Sequence, residues 1–237
     1  MQIALLGYGK MGQTIERLAL AKGHSIIAKV DTMEDFITNL TNIGRADVAI
    51  EFTTPESAPH NLLLCAEHGI AVVSGTTGWL AEKPKIEEEF SKRSGAFFYA
   101  SNYSLGVNIF FALNEFLAKT MSKFEGYTPS LKEIHHIHKL DSPSGTALTL
   151  TQPILAHNKH FSSWSLEQSD MDTLYIEALR IDEVPGTHSV KYRSASDQIE
   201  ITHEAYTRDS FAAGALMAAE WLPGKNGIFG MKDLLNI

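Results

Sequence analysis

Gln2-Ile3-Ala4-Leu5-Leu6-Gly7-Tyr8-Gly9-Lys10-Met11-Gly12 opens the chain and joins an apolar strand to a turn of the form G-x-G-x-x-G. A strand that enters such a turn and continues into a helix is typical of a dinucleotide-binding βαβ unit. In that unit Gly7 permits the tight turn, Gly9 lets the backbone approach a pyrophosphate, and Gly12 allows helix and strand to pack closely. We place the helix at Met11–Ala21, so that its N-terminal amides point at the phosphates.

An acidic residue follows the second predicted strand, Ser25–Val30, where ribose recognition requires one. Asp31 comes 19 residues after Gly12, and a carboxylate there accepts hydrogen bonds from ribose hydroxyls and repels a 2′-phosphate. Lys10 in the glycine loop, or Lys29 on the same strand face as Asp31, is placed to neutralise the carboxylate or reach a phosphate. On these residues alone we predict a preference for NADH. The alternative is a glycine-rich turn beside a solvated aspartate.

The first hundred residues alternate between strand and helix patterns, which predicts an α/β fold with a Rossmann-like, doubly wound parallel sheet. The strands are placed at Ile3–Leu6, Ser25–Val30, Ala46–Phe52, Ile70–Ser74 and Ala96–Tyr99, and the further helices at Glu56–His68 and Pro84–Arg93. We interpret Asp31–Gly44 as a loop with a short helix.

Two polar segments follow predicted strands at the sheet edge where ligands bind. They are Gly75-Thr76-Thr77-Gly78 and Ala100-Ser101-Asn102-Tyr103-Ser104. Their small and hydroxyl-bearing residues would let a flat ring approach the backbone. Either segment could equally be an ordinary turn.

The pattern changes after Asn102 and predicts a second, α+β domain with a mixed sheet. Helices are placed at Gly106–Met121 and Gly145–Asn158, and strands at Leu131–Lys139, Tyr175–Ile181, Thr187–Tyr192 and Gln198–Thr202. A closing helix is placed at Ala212–Leu222. We therefore predict a dinucleotide-binding domain from 1–104 and 209–237, with 105–208 as a separate substrate-binding domain.

Composition and charge limit the classes of partner. The net charge of −8 gives no basic surface for a nucleic acid, and no apolar run is long enough for a membrane span. The N-terminus lacks the pattern of a signal peptide. The single cysteine, Cys65, lies in an apolar stretch and is expected to be a buried small hydrophobe in a reducing cytoplasm.

The densest group of chemically active residues lies between Glu133 and Thr146. Three histidines and a lysine occur at His135, His136, His138 and Lys139. Strand alternation would put His136 and His138 on one face and His135 on the other. Ser144, Gly145 and Thr146 follow at a helix start, where free amides and hydroxyls suit a carboxylate. A histidine and a lysine beside such a site suit proton donation to a bound anion.

Three simpler explanations of these residues remain open. His136 and His138 could be metal ligands, although no third ligand is identifiable and we predict no metal. They could instead lie on a solvated strand face. Ser144 could serve only as the helix N-cap, which is the usual role for a serine at a helix start.

The segment from His135 to Ala147 resembles the H-H-x-x-K-x-D-x-P-S-G-T-A signature of the dihydrodipicolinate reductase family. The similarity covers most of the chain. It includes Glu51-Phe52-Thr53, Gly75-Thr76-Thr77-Gly78, Asn102-Tyr103-Ser104, Gly186-Thr187-His188, Ile201-Thr202-His203 and Gly227-Ile228-Phe229.

The resemblance implies a role for each matching residue. His135 would be the general acid and Lys139 a catalytic, substrate-binding lysine, while Arg208 would lie at a hinge between domains. The substrate carboxylates would be held by His136, Ser144, Gly145 and Thr146. The cofactor would be held by Gly7, Gly9, Lys10, Met11, Gly12, Asp31, Gly75, Thr76, Thr77, Ala100 and Tyr103.

The implied reaction is reduction of the dehydrated form of 4-hydroxy-tetrahydrodipicolinate, a cyclic dicarboxylate, in lysine and diaminopimelate biosynthesis. NADH and NADPH would both serve, in a cytoplasmic homotetramer. The sequence departs from the family pattern in two places: the glycine loop is one residue shorter than usual, and Thr32, not arginine, follows Asp31. The alternatives are another Rossmann-type reductase, such as an aspartate dehydrogenase-like enzyme, or a nicotinamide-binding regulator without activity.

Overall fold

The computed structural model describes residues 1–167, 172–207 and 209–237. The chain divides into two compact units, one formed by Met1–Leu105 with Asp209–Ile237 and the other by Gly106–Arg208. Arg208, the expected hinge residue, lies outside the described residues. In the part of the chain that is described, no helix has the length and apolar character needed to cross a membrane.

The helices and strands alternate through most of the first unit. In chain order the elements are β1 (Gln2–Leu6), α1 (Lys10–Ala21), β2 (Ser25–Val30), α2 (Met33–Ile43), β3 (Val48–Glu51), α3 (Ala58–Glu67), β4 (Val72–Ser74), a 3-10 turn (Leu80–Glu82), α4 (Lys83–Lys92), β5 (Ala96–Tyr99), α5 (Leu105–Met121), β6 (Thr128–His135), α6 (Gly145–His157), β7 (Ser163–Ser165), β8 (Thr173–Arg180), β9 (Gly186–Arg193), β10 (Gln198–Ala205), α7 (Asp209–Trp221), β11 (Gly227–Phe229) and α8 (Met231–Leu235).

The first unit is built on a six-stranded sheet in the order β11-β5-β4-β3-β1-β2. All of its strand pairs are parallel. The chain leaves β1 towards β2 and then returns to the other side of β1 with β3. Ligands of open α/β sheets bind at such a reversal, beyond the carboxyl ends of the strands. The predicted doubly wound parallel sheet is therefore confirmed.

Both faces of this sheet are covered, as the side chains of β1 show. Ile3 and Leu5 pack into a cluster with helices α1, α7 and α8. Ala4 and Leu6 pack into a second cluster with α2, α3 and α4. Alternate residues of a strand point to opposite faces, so a strand buried on both sides must be continuously apolar.

The stretch Asp31–Gly44 forms a longer helix than the sequence suggested. Thr32 caps it: its Oγ1 accepts from Asp35 N at 3.1 Å, while Thr32 N donates to Asp35 Oδ2 at 3.0 Å. Phe36 and Ile43 are buried on its inner face. The reciprocal cap and this burial outweigh the low helix propensity of its threonine and asparagine residues. The prediction of a loop with only a short helix was wrong.

The second unit contains a mixed five-stranded sheet in the order β10-β9-β6-β8-β7. Strand β9 is antiparallel to β6 and β10, whereas β8 is parallel to β6 and β7. Helices α5 and α6 contribute Phe110, Leu150 and Ile154 to a core with Leu131 and Val190 of the sheet. The predicted α+β arrangement is confirmed.

Strand β6 ends at His135, four residues earlier than predicted. Ile181 N donates to His135 O at 2.8 Å, and Ile137 N donates to Asp182 O at 3.1 Å. A turn follows, in which Lys139 N donates to His136 O. Strand alternation therefore does not govern His136 and His138, although their rings lie 6.1 Å apart in the turn. His135 remains in the strand, on the same buried face as Glu133.

Candidate active site

The glycine loop after β1 has no room for side chains at its first and third glycines. A Cβ on Gly7 would lie 2.0 Å from the carbonyl oxygen of Phe52, and Gly7 has a φ of +92°. A Cβ on Gly12 would lie 2.3 Å from Gly7 O. Nothing lies within 4 Å of the corresponding point on Gly9. The loop is thus packed against the protein at both ends and open in the middle, which suits a pyrophosphate.

Helix α1 begins directly after Gly9, which caps it without a side-chain hydrogen bond. The first amides of a helix have no acceptor within it, so those of Lys10 and Met11 are available to an anion. Lys10 is exposed and adds positive charge at this end. These donors fit a dinucleotide phosphate.

Asp31 borders a pocket of about 240 Å³ beyond the end of β2. The carboxylate Oδ1 accepts from Tyr8 N at 2.5 Å, which ties it to the glycine loop. The pocket is also lined by Glu56 and His60, and none of its lining residues is a lysine or arginine. Its two carboxylates suit ribose hydroxyls and oppose a phosphate.

Lys29 does not neutralise Asp31, although the strand pattern had placed the two residues on one face. Its ammonium lies 2.7 Å from Glu16 Oε1 and donates to Tyr8 Oη at 3.0 Å. The lysine also lies over the Tyr8 ring, 4.3 Å from its centroid. Because the Lys29 ammonium is paired with Glu16, it is not available to neutralise a 2′-phosphate.

The loops after β3 and β4 are joined by a buried carboxylate. Glu51 is 0% exposed and accepts from Ser74 Oγ at 2.6 Å, Thr76 Oγ1 at 2.7 Å and Thr53 N at 2.9 Å. A Cβ on Gly75 would overlap the Phe52 ring at 2.1 Å. Thr76 thus supports the loop from inside, and its exposed neighbour Thr77 faces solvent.

The segment after β5 also has an internal role. Tyr103 is buried, and its hydroxyl donates to Ser74 O at 2.6 Å. Burial raises the pKa of this phenol well above its ordinary value. Ala100 is buried as well. Of the residues predicted in these loops, Gly75 and Thr77 remain suited to touching a cofactor, whereas Thr76 and Tyr103 hold the loops in place.

The start of α6 has the geometry expected of a carboxylate site. Ser144 is the N-cap, and its Oγ accepts from Ala147 N at 3.1 Å. Ser144 is buried, so its amide and hydroxyl face the protein. The amides of Gly145 and Thr146 lie in the first turn and have no acceptor within the helix. A Cβ on Gly145 would meet nothing within 4 Å. An anion can therefore approach these two amides.

A buried carboxylate lies behind that helix start. Glu133 on β6 is 0% exposed, and Ser144 N donates to both of its oxygens at 3.1 Å. The guanidinium of Arg180 on β8 lies 3.2 Å from Oε1. His135 Nδ1 and His188 Nε2 each lie 3.6 Å from Oε2. One carboxylate therefore contacts groups from three strands and one helix.

The charged and titratable groups of this cluster strongly affect one another's pKa values. Burial alone would raise the pKa of Glu133, but the nearby His188 ring and the hydrogen bonds from Ser144 outweigh it and lower the pKa to about 2. Burial and the charge of His188 lower the pKa of His135 to about 4, against the opposite effect of Glu133. At neutral pH the carboxylate is ionised and His135 is a neutral imidazole.

The remaining residues of the signature lie in the turn after β6. Lys139 donates to both oxygens of Asp141, at 2.7 and 2.8 Å. His136 is half-buried, and His138 is exposed with its Nε2 3.1 Å from Glu183. The signature thus divides into a buried part around His135 and a more exposed part around Lys139.

Glu133, His135 and His188 offer three donor atoms within 4.8 Å of one another, a spacing that a metal ion could bridge. These are not the histidines that the sequence suggested as ligands. The Arg180 guanidinium and the Ser144 amide already occupy the carboxylate, and a fixed positive charge beside it disfavours a second cation. The group is better suited to proton transfer.

Sequence reasoning assigned no role to Glu133, Arg180 or His188. Glu133 could have been found, because its two-residue spacing from His135 places both side chains on one strand face. His188 belongs to a segment noted only for its resemblance. Arg180 is adjacent only through the pairing of β6 with β8.

Family models match nearly the whole chain. Residues 1–103 match "Dihydrodipicolinate reductase, N-terminus" and residues 106–235 match "Dihydrodipicolinate reductase, C-terminus". The chain belongs to the dihydrodipicolinate reductase family. It is 51% identical over 236 residues to a 4-hydroxy-tetrahydrodipicolinate reductase of Christiangramia forsetii, covering 100% of this chain and 98% of that one. An Acinetobacter baumannii protein of the same name is 33% identical and is covered to 96%.

Solved structures share the fold. A dipicolinate-bound dihydrodipicolinate reductase from Paenisporosarcina sp. TG-14 superposes with a TM-score of 0.79 at 19% identity, covering 98% of both chains. Membership of the family confirms the prediction of a nicotinamide-dependent reductase that uses NADH or NADPH. It supports that prediction over both the aspartate dehydrogenase-like and the regulator alternatives.

Proposed function

We propose that the chain reduces the dehydrated form of 4-hydroxy-tetrahydrodipicolinate to tetrahydrodipicolinate, in lysine and diaminopimelate biosynthesis. The family it belongs to and the name of its 51% identical relative support this substrate. The observation that carries the proposal is the buried imidazole of His135, beside the open N-terminus of α6. A proton donor next to an anion site is the arrangement that reduction of a cyclic imine dicarboxylate requires.

We assign cofactor binding to the first unit. Gly7, Gly9 and Gly12 with the amides of Lys10 and Met11 would hold the pyrophosphate, and Asp31 the adenosine ribose. Gly75 and Thr77 would line the nicotinamide end, supported from inside by Thr76, Tyr103 and the buried Ala100. A bound NADH or NADPH supplies the hydride for the ring carbon.

We assign substrate binding to the second unit. The amides of Gly145 and Thr146, with the Thr146 hydroxyl, would hold one carboxylate of the substrate. Lys139 would take another carboxylate, exchanging its ion pair with Asp141 for one with the substrate. His136 adds a polar ring to the same turn, and Ser144 keeps the helix start in position. A dipicolinate-bound relative of the same fold supports a dicarboxylate ligand.

His135 would protonate the electron-rich product of hydride addition. The neutral imidazole must first take up a proton, because its pKa of about 4 keeps it uncharged at neutral pH. The two negative charges of a dicarboxylate favour that uptake. Binding of the substrate thus prepares the acid that completes the reaction.

A coupled assay with synthase-generated substrate, run in parallel with NADH and NADPH, tests this function. His135→Ala and Lys139→Ala should each lower turnover by at least about a hundredfold, the low end of general acid–base effects. Cofactor affinity, measured by fluorescence titration, should hardly change. His157→Ala, at a partly exposed histidine of the second unit, serves as a matched control with normal turnover. Near-normal turnover in both of these variants would contradict the assignment of His135 and Lys139 as catalytic residues.

We also propose a cellular location and an oligomeric state. A single, buried cysteine supports a cytoplasmic location. The resemblance further implies a homotetramer formed by the second unit, which analytical ultracentrifugation of the full chain would test.

A further inference from the structure

The Nδ1 atom of His135 is buried and has no hydrogen-bond partner among the described residues. Glu133 Oε2, a carboxylate acceptor, lies 3.6 Å from it. A buried ring nitrogen without a partner is costly, so a small movement that closes this distance would be favourable. Such gaps in catalytic hydrogen bonds often close when the ligand binds.

Glu133 is held so firmly that only the imidazole can make that movement. Arg180 and the Ser144 amide fix its carboxylate, and the side chain is 0% exposed. A carboxylate accepts hydrogen bonds and donates none. A nitrogen that faces it is stabilised when it carries a proton, and the lone pair of an unprotonated nitrogen would be repelled.

The opposite side of the ring is left open by a glycine. A Cβ on Gly186 would lie 3.2 Å from His135 Nε2, closer than most side-chain contacts. Gly186 also has a φ of +156°, which side chains rarely adopt. The His188 ring packs edge-on, 4.9 Å from the His135 ring, and restricts its rotation. One nitrogen therefore faces a fixed anion, and the other faces a position without a side chain.

Resting on the proposed function, we infer that Glu133 is the positioning residue of His135. Its Oε2 holds the proton of the neutral ring on Nδ1, so that Nε2 is the atom that exchanges a proton with the substrate. The neutral ring then has no proton at Nε2. It gains one there from solvent to become an imidazolium, and passes that proton to the electron-rich product of hydride addition. The N–H bond at Nε2 breaks, the proton forms its new bond with that product, and the ring returns to its neutral Nδ1–H state.

A Glu133→Gln variant should reverse this arrangement. Arg180 donates to Oε1 through both of its terminal nitrogens, at 3.2 Å, so the amide oxygen of glutamine will face the guanidinium. The NH₂ group then takes the place of Oε2 and donates to His135 Nδ1. The neutral ring must move its proton to Nε2. An amide in place of a carboxylate that sets a histidine tautomer can cost about 10⁴-fold in kcat.

The direct measurement is ¹⁵N NMR of histidine side chains at pH 8, with His135 assigned by the loss of its signals in His135→Gln. We expect the Nδ1–H tautomer in the wild-type protein and the Nε2–H tautomer in Glu133→Gln. In steady-state kinetics, kcat of Glu133→Gln should fall at least about a hundredfold, with the substrate KM within a few-fold. Glu177→Gln, which alters a partly exposed glutamate of the same unit, should match the wild-type protein in both measurements.

The outcomes separate this inference from the proposed function. An Nε2–H tautomer in the wild-type protein overturns the role of Glu133 even if Glu133→Gln fails to fold, and so does an unchanged tautomer in a folded Glu133→Gln. Absence of wild-type turnover overturns the proposed function and leaves the tautomer result standing. Normal kcat in Glu133→Gln with a reversed tautomer also overturns the inference, because the protonated atom would then not matter.

Discussion

Binding of a dicarboxylate should make the protein take up a proton at His135. In the free protein the pKa of His135 is about 4, because the ring is buried and lies beside His188, with Lys139 and Arg180 also contributing. A carboxylate on the amides of Gly145 and Thr146 would add a negative charge near the ring. For a separation of about 5 Å and an effective dielectric constant of about 20, a unit negative charge stabilises the imidazolium by about 3 kcal/mol.

An energy of about 3 kcal/mol raises the pKa by about 2, from about 4 to about 6. At pH 6 the free imidazole is almost entirely neutral and the bound one is about half protonated, so about half a proton is taken up per chain. At pH 8 both forms are neutral and the uptake is close to zero. The sign follows from the bound state holding more protons, so dicarboxylate affinity rises as pH falls from 8 towards 6.

Isothermal titration calorimetry with dipicolinate, in two buffers of different ionisation enthalpy, measures this number of protons directly. His135→Asn should abolish the uptake at pH 6. His157→Asn, which changes a partly exposed histidine of the same unit, should retain it. If His135→Asn takes up as many protons as the wild-type protein, the charge of the ligand is not felt at His135 and the proposed acid is wrong.

Two further predictions concern individual contacts. Thr146→Val keeps the shape of the side chain but removes a hydroxyl that donates to a carboxylate, a loss of about 1.5–3 kcal/mol, so the substrate KM should rise about tenfold to a hundredfold with kcat little changed. An unchanged KM would show that Thr146 is only a helix-start residue. The kcat/KM of the wild-type protein should be higher with NADH than with NADPH by no more than about tenfold, or about 1.4 kcal/mol; Asp31→Ala should shift this ratio towards NADPH, and Lys10→Ala should shift it towards NADH. If Asp31→Ala leaves the ratio unchanged, this carboxylate does not face the ribose.

The overall fold could be predicted from the sequence because each pattern that indicates it lies within a short stretch of the chain. The glycine loop fixes one strand–helix turn, and alternating apolar runs give the parallel sheet that the structure contains. The end of β6 was missed because the same alternation continues through Ile137. What ends the strand is the exchange of hydrogen bonds with Ile181 and Asp182, some 45 residues later in the chain. No pattern around His135 encodes that partner.

Only half of the proposed catalytic cluster could be predicted from the sequence, for the same reason. His135 and Ser144 lie in one signature, but Arg180 and His188 arrive from β8 and β9. Their proximity to Glu133 depends on the order of strands in a mixed sheet. A sequence can indicate that a histidine is important, while the groups that set its pKa come from pairings that only the folded sheet defines.

Two buried carboxylates divide the polar residues of the two sites into those that hold the site and those that face outward. Burying a carboxylate is costly unless donors surround it, so each draws the nearest hydroxyls and amides inward. Glu51 accepts a hydrogen bond from the hydroxyl of Thr76, whereas the neighbouring Thr77 is exposed. Glu133 accepts a hydrogen bond from the amide of Ser144, whereas the amides of Gly145 and Thr146 lie at the open end of the helix. Adjacent polar residues thus have opposite tasks. Removing Thr76 or Ser144 should loosen a loop, whereas removing Thr146 should weaken only a ligand contact.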